Sequence, residues 1–403
     1  MRVLALLFSF VLLIVSLADA QAARRKKGTR APAPAAAQQE TASPVSRLFD
    51  SRPRMKRDDV PAAAAPAAPA ATAAAPAATP ATAKKKRSAR RGRGAPAEAV
   101  QAATGVAGAR SSKQDAAACA AQGQPDAIIA GCARVIEDGK QKPKPRAAAL
   151  YNRGNAYSAQ GEHDKAIADY DEALKIEPKS ASIFNNRGNA RNDKGDAEGA
   201  IADFDAAIKA NAKYAAAYFN RGNVRAAQGD FDKAVADYGL ALKFNKRYLN
   251  AYIARGSLLL ASGATAKARS DFAQANRLAP KVAYAVLWHD IAEKRAKQKG
   301  VLGKGKAPRI DMSAWPAPVI RLYQGEAQVD AVIAEADNPN PTVKDAHVCE
   351  ANFYSGAHAL IGGNRDEAVK LFRTAAKGCP RGFLEGIAAA AELKGMGEKV
   401  EAN

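Results

Sequence analysis

The sequence predicts an all-α fold, a solenoid of stacked helical hairpins, and three observations carry that expectation. Four arginine-glycine pairs, Arg153-Gly154, Arg187-Gly188, Arg221-Gly222 and Arg255-Gly256, recur every 34 residues without insertion. A fixed period of that length marks an architecture built from repeated supersecondary units. Aromatic residues are only 6% of the chain and alanine is abundant, which disfavours a β-sandwich or barrel.

The chain begins with Met1-Arg2, an apolar run from Val3 to Leu17 and then Ala18-Asp19-Ala20. Small residues at the first and last of these three suit signal-peptidase cleavage, so residues 1–20 are expected to be a secretory signal peptide, with Gln21 the first mature residue. The run is shorter than the roughly 20 residues needed to span a bilayer. No Cys follows it to accept a lipid. Export would put the four cysteines where disulfides persist.

Residues 21–112 form an Ala/Pro/Lys/Arg-rich arm. Of the chain's formal charge of +21, this arm holds 18 Lys/Arg against 5 Asp/Glu, including clusters at Arg24 to Lys27 and Lys84 to Arg93. Almost no large apolar side chains interrupt it, so burial cannot offset ordering entropy and the arm is expected to be disordered. Its clusters, spanning residues 24–93, suit an anionic envelope surface. Phe49 is its one aromatic residue, which leaves no base-stacking platform and argues against nucleic acid.

The repeats occupy residues 147–282. With units starting at Ala147, Ala181, Ala215 and Leu249, position 8 is always Gly and position 15 is Gly161, Gly195, Gly229 and Gly263. Position 20 is Ala166, Ala200, Ala234 and Ala268, and position 27 is Ala173, Ala207, Ala241 and Ala275. Position 24 is aromatic throughout: Tyr170, Phe204, Tyr238 and Phe272. Small residues at 8, 20 and 27 let two antiparallel helices approach, Gly at 15 ends the first, and the ring at 24 fills the space between them. In this period and these positions the segment is identified as a set of tetratricopeptide repeats, and the resemblance implies a right-handed superhelix.

The same register extends outward. Residues 113–146 read as a degenerate N-terminal repeat, with Gly123, Ile128, Cys132 and Val135 in place, followed by a Lys/Pro-rich insertion. Residues 283–348 read as additional helices and a linker, and 349–403 as a C-terminal repeat with a capping helix. Trp288, the run Trp315 to Gly325 and the segment Ala351 to Gly356 are similar to the C-terminal half of bacterial envelope tetratricopeptide proteins. One such relative is an outer-membrane lipoprotein that dimerises and links a periplasmic protease to cell-wall hydrolases. That resemblance implies a scaffold or adaptor of the bacterial periplasm or cell envelope and a homodimer; the absence of a lipid-acceptor Cys departs from it.

The four cysteines fall at facing positions of the two terminal units. Cys349 and Cys379 sit at positions 1 and 31, side by side in an antiparallel hairpin, and Cys119 and Cys132 at positions 11 and 24. Two disulfides are expected, each stabilising an end unit by about 2–4 kcal/mol. A zinc site from His347, Cys349, His358 and Cys379 is the alternative, disfavoured by its spacing on one helix. No metal and no cofactor are expected.

In this fold the first helices line a concave groove. Position 9 carries Asn155, Asn189 and Asn223, position 6 Asn152, Asn186 and Asn220, and position 5 Tyr151, Asn185 and Phe219. These columns resemble the asparagine ladder of peptide-binding tetratricopeptide proteins, and the resemblance implies a groove that holds a protein segment by its backbone. Arginine at position 7 is matched by Asp169, Asp203, Asp237 and Asp271 at position 23, which reads as helix-to-helix pairing. No Ser/His/Asp ordering, Walker motif or His-rich box emerges. A non-enzymatic scaffold is the leading reading; the alternative is a polyanion-binding protein that acts through its arm, with the repeats as an oligomerisation module.

Overall fold

The computed structural model describes residues 113–400, apart from 122 and 304–309. The expected signal peptide and basic arm, and part of the Gly/Lys-rich linker near residue 305, lie outside the described residues. Within them the chain is helical, and each helix packs on the next in an up-and-down order.

A first hairpin pairs α1 (Lys113–Ala120) with α2 (Pro125–Glu137). Four hairpins follow: α3 (Pro143–Ala159) with α4 (His163–Ile176), α5 (Ala181–Lys194) with α6 (Ala197–Ala210), α7 (Ala215–Ala227) with α8 (Phe231–Phe244), and α9 (Leu249–Ala261) with α10 (Thr265–Leu278). Then come α11 (Ala283–Arg295), the short α12 (Ala317–Gln324) and α13 (Val329–Glu335), the long α14 (Pro341–Ile361), α15 (Arg365–Gly378) and α16 (Leu384–Gly395).

The small residues act as their spacing requires. A Cβ added at Gly154, Gly188, Gly222 or Gly256 would stand 2.7–2.8 Å from a carbon of Tyr170, Phe204, Tyr238 or Phe272. A methyl there would displace the ring, at about 1–3 kcal/mol for overpacking of this kind. The alanines at positions 20 and 27 are fully buried in all four units. Gly195 ends α5 at φ 97°, a left-handed conformation that only glycine adopts without strain.

Two element starts differ from the sequence expectation. Helix α3 begins at Pro143, so the end of the Lys/Pro-rich insertion is its first turn; proline is compatible there because those amides have no partner within the helix. Helix α14 begins at Pro341, upstream of the expected boundary at 349, because the Asn340 side chain caps the amides of Thr342 and Val343.

The C-terminal helix does not simply end the stack. Helix α16 packs on α14 and α15 and also reaches back to α9. A Cβ on Gly395 would lie 2.3 Å from the Ala261 carbonyl oxygen. Lys394 Nζ donates to the Gly229 carbonyl at 3.3 Å and lies 5.1 Å from the centre of the Phe231 ring. One apolar core therefore runs from Tyr218 in α7 to Leu393 in α16.

Both end units are cross-linked. Cys119 is bonded to Cys132, joining α1 to α2, and Cys349 to Cys379, joining α14 to the end of α15. With both thiols consumed and His347 stacked on Trp315 at 4.4 Å between centroids, the alternative zinc set is not assembled.

Candidate functional site

The asparagine columns form a ladder that runs from repeat to repeat. Asn186 Nδ2 donates to the Tyr151 hydroxyl at 3.0 Å and to Asn155 Oδ1 at 2.8 Å. One repeat later, Asn220 Nδ2 donates to Asn185 Oδ1 at 2.9 Å and Asn189 Oδ1 at 3.0 Å. Position 6 thus reaches back to positions 5 and 9 of the preceding unit. The ring at position 24 adds to this: Tyr170 donates to Asn155 Oδ1 and Tyr238 to Asn223 Oδ1. Asn152, with no full repeat before it, donates to the Cys119 carbonyl at 3.1 Å.

This geometry narrows the expected groove. Asn152, Asn185, Asn189, Asn220, Asn223 and Phe219 are buried, and the ladder commits much of their hydrogen-bonding capacity to neighbouring repeats. Tyr151, Asn155 and Asn186 remain half-buried, with Ser182 and Asn192 beside them in the same helix faces. The open part of the concave face is accordingly on α3 and α5. On α9 the matching positions, Ile253, Ser257 and Leu260, are buried where α16 packs.

The arginine and aspartate columns pair as expected. Arg153 Nε and Nη2 hold Asp169 at 2.8 Å, and Arg255 holds Asp271 at 2.8 and 2.7 Å. In the middle repeats the aspartate gains a second cation: Arg191 reaches Asp203 and Arg225 reaches Asp237. Arg187 and Arg221 also extend to Asp171 and Asp205 of the preceding unit. The four aspartates are buried, so these pairs fix helix register.

One polar cluster was not anticipated from the sequence. Glu350 on α14 and Glu385 on α16 are both wholly buried. Glu350 Oε2 accepts from the Tyr284 hydroxyl at 2.6 Å and from Trp315 Nε1 at 2.7 Å; Glu385 Oε1 accepts from the Tyr354 hydroxyl at 3.0 Å. Burial first, and the nearby Glu350 second, push the Glu385 carboxyl up to about 8, so it keeps its proton at neutral pH. The signal was in the alignment: position 2 is Ala148, Ser182, Ala216 and Asn250 in the full repeats, and Glu350 is the first charge there. Sealed from solvent, the pair meets no substrate and serves to join α14, α16 and the Trp315 loop. Among the described residues no three His, Cys, Asp or Glu side chains converge as a metal ion would need.

Comparison with known proteins bears on this architecture. Tetratricopeptide repeat models match residues 147–180 and 215–248, and a further repeat model of the same kind matches 188–229. Among solved structures, MamA is 23% identical over 38% of this chain and 88% of its own, with a TM-score of 0.35. PilF of Pseudomonas aeruginosa is 16% identical over 58% and 91%, with a TM-score of 0.39. A tetratricopeptide repeat protein from Parabacteroides merdae is 15% identical over 67% and 92%, with a TM-score of 0.40.

Proposed function

The chain belongs to the tetratricopeptide-repeat family, and from that premise we propose that it is a non-enzymatic scaffold of the bacterial cell envelope that holds an extended segment of a partner protein. Repeats of this kind generally serve protein interaction and not catalysis. The observation that carries the reading is the uneven concave face: Tyr151, Asn155 and Asn186 keep access to solvent on α3 and α5, whereas the matching residues of α9 are closed over. Half-buried amide and hydroxyl groups can donate to and accept from a peptide backbone without reading its side chains.

Envelope location is supported by the signal-like N-terminus and by two disulfides, which persist in oxidising compartments. No helix among the described residues is long and apolar enough to cross a membrane. The basic arm then serves to hold the scaffold against an anionic envelope surface.

A photo-crosslinking amino acid placed in turn at Tyr151, Ser182 and Ile253 of the full chain tests the groove. The same partner adduct is expected from the first two positions and none from Ile253. Equal adducts at all three positions, or none at Tyr151 and Ser182, would remove the groove assignment.

A further inference from the structure

Because the hairpins stack side by side, the turns between units fall on one edge of the stack and the turns within units on the other. Three turns of the between-unit edge carry cations that the fold leaves unmatched, whereas its first two turns also hold Glu137, Asp138 and Glu177. Lys209 and Lys213 lie at the α6–α7 turn, Lys243, Lys246 and Arg247 at the α8–α9 turn, and Arg277 and Lys281 at the α10–α11 turn. All seven are exposed, and none of these three segments contains an Asp or Glu. The opposite edge carries Asp193, Asp196, Glu198, Asp230 and Asp232; there Lys194 pairs with Asp164 and Lys233 with Asp230, while Lys267 is exposed.

Helix stability accounts for part of this pattern only. Lys209, Lys243 and Arg277 lie in the last turns of α6, α8 and α10, where a cation complements the helix dipole. Lys213, Lys246, Arg247 and Lys281 instead stand just before the N-termini of α7, α9 and α11, where the dipole disfavours positive charge. Four cations therefore sit where the fold gains nothing from them.

The chemistry of the edge narrows what it meets. Five of the seven are lysines, compact charges on flexible stems, and the Arg277 guanidinium is already engaged by Gln274. The exposed large apolar side chains among the described residues, Ile333 and Val400, are elsewhere, and the aromatics of these turns, Tyr214, Phe244 and Tyr248, are half-buried, so the edge presents charge more than an inserting or base-stacking surface. Such an edge suits diffuse negative charge spread over a plane. Helix α1 also begins on this side, so the arm, with its 18 Lys/Arg against 5 Asp/Glu, joins the fold at the same edge.

We propose that the between-unit edge of the repeat stack docks electrostatically on an anionic lipid bilayer, with the acidic edge turned away. This rests on the anionic-surface part of the reading above and adds to it a surface of the folded stack itself.

The test uses the full chain and vesicles of phosphatidylcholine with or without phosphatidylglycerol, read by co-sedimentation at rising salt. One variant carries K213Q, K246Q, R247Q and K281Q, all in exposed turns, with circular dichroism to check folding. A second carries Lys84, Lys85, Lys86 and Arg87 changed to Gln in the arm. At about 1 kcal/mol for each cation near a charged bilayer, the edge variant should bind anionic vesicles on the order of a hundred- to a thousandfold more weakly, and the gap should close at high salt. Wild-type binding by the edge variant overturns the proposal; if the arm variant alone loses binding, the arm reading stands without the edge. Capture of soluble polyglutamate with no vesicle binding overturns it too, by assigning the edge to a linear polyanion.

Discussion

The Glu385 carboxyl gives the fold a pH dependence of calculable sign. Its folded pKa is raised to about 8 by burial and by Glu350, against an ordinary value of 4.5. Between those two values the folded protein holds a proton that the unfolded chain has lost. Stability is therefore greatest below the unfolded value, falls as pH rises, and levels off above the folded value. The slope is about 1.4 kcal/mol for each pH unit, so nearly 3 kcal/mol is lost over two units inside the window. Complete burial leaves little solvent screening to discount this. Glu385→Gln isolates the effect, since an amide is neutral throughout and its oxygen can still accept from Tyr354. Urea denaturation of both proteins at intervals between about pH 5 and about pH 9 measures it. The difference in stability, variant minus wild type, should rise up to about pH 8 and level off above it. Parallel curves would refute the assignment of a proton to this carboxyl. Glu350→Gln supplies a check, because removing the second cause of the shift should draw the upper end of the window to lower pH.

Two further outcomes follow from the pairing pattern. Asp169 and Asp271 each have one arginine, whereas Asp237 has both Arg221 and Arg225; Arg153→Met or Arg255→Met should cost about 3–5 kcal/mol by stranding a buried carboxylate, and Arg221→Met clearly less, as measured by denaturation. Removing the Cys119–Cys132 bond by double substitution to Ala should cost about 3 kcal/mol for a closed loop of that length, and hydrogen exchange should speed up in α1 and α2 before α7 and α8.

The architecture was legible because each repeat position has one mechanical task and performs it four times. Gly154 and its counterparts touch the ring at position 24, and the alanines at 20 and 27 close the hairpin, so period and residue type together set the fold. The cysteine pairs were legible for the same reason, since register fixes which positions of a hairpin face each other. The asparagine columns were visible as columns, but their role was not: whether an amide faces a groove or the next repeat depends on the offset between units. Position 6 lies between positions 5 and 9 of the preceding unit, and that relation exists only once the units are stacked. The Glu350–Glu385 pair was hidden for a related reason. Its members are far apart in sequence and meet only because α16 follows α14 and α15 around to the Trp315 loop.

The change in the fourth repeat is where the concave face turns from a surface into a core. Ala254 replaces the asparagine at position 6, so no position-6 amide of the fourth repeat reaches back to Asn223, and Ile253 and Leu260 put apolar side chains at positions 5 and 12. The same helix, α9, is the one on which α16 closes. Losing the ladder and gaining the capping helix are two sides of one substitution pattern: an unsatisfied amide would be costly beneath α16, and apolar side chains would be exposed without it. The polar face is thereby confined to the N-terminal end of the stack. A partner segment held on α3 and α5 would lie beside the end at which α1 begins and the basic arm joins, so the groove and the arm proposed for this protein act from the same end of the fold.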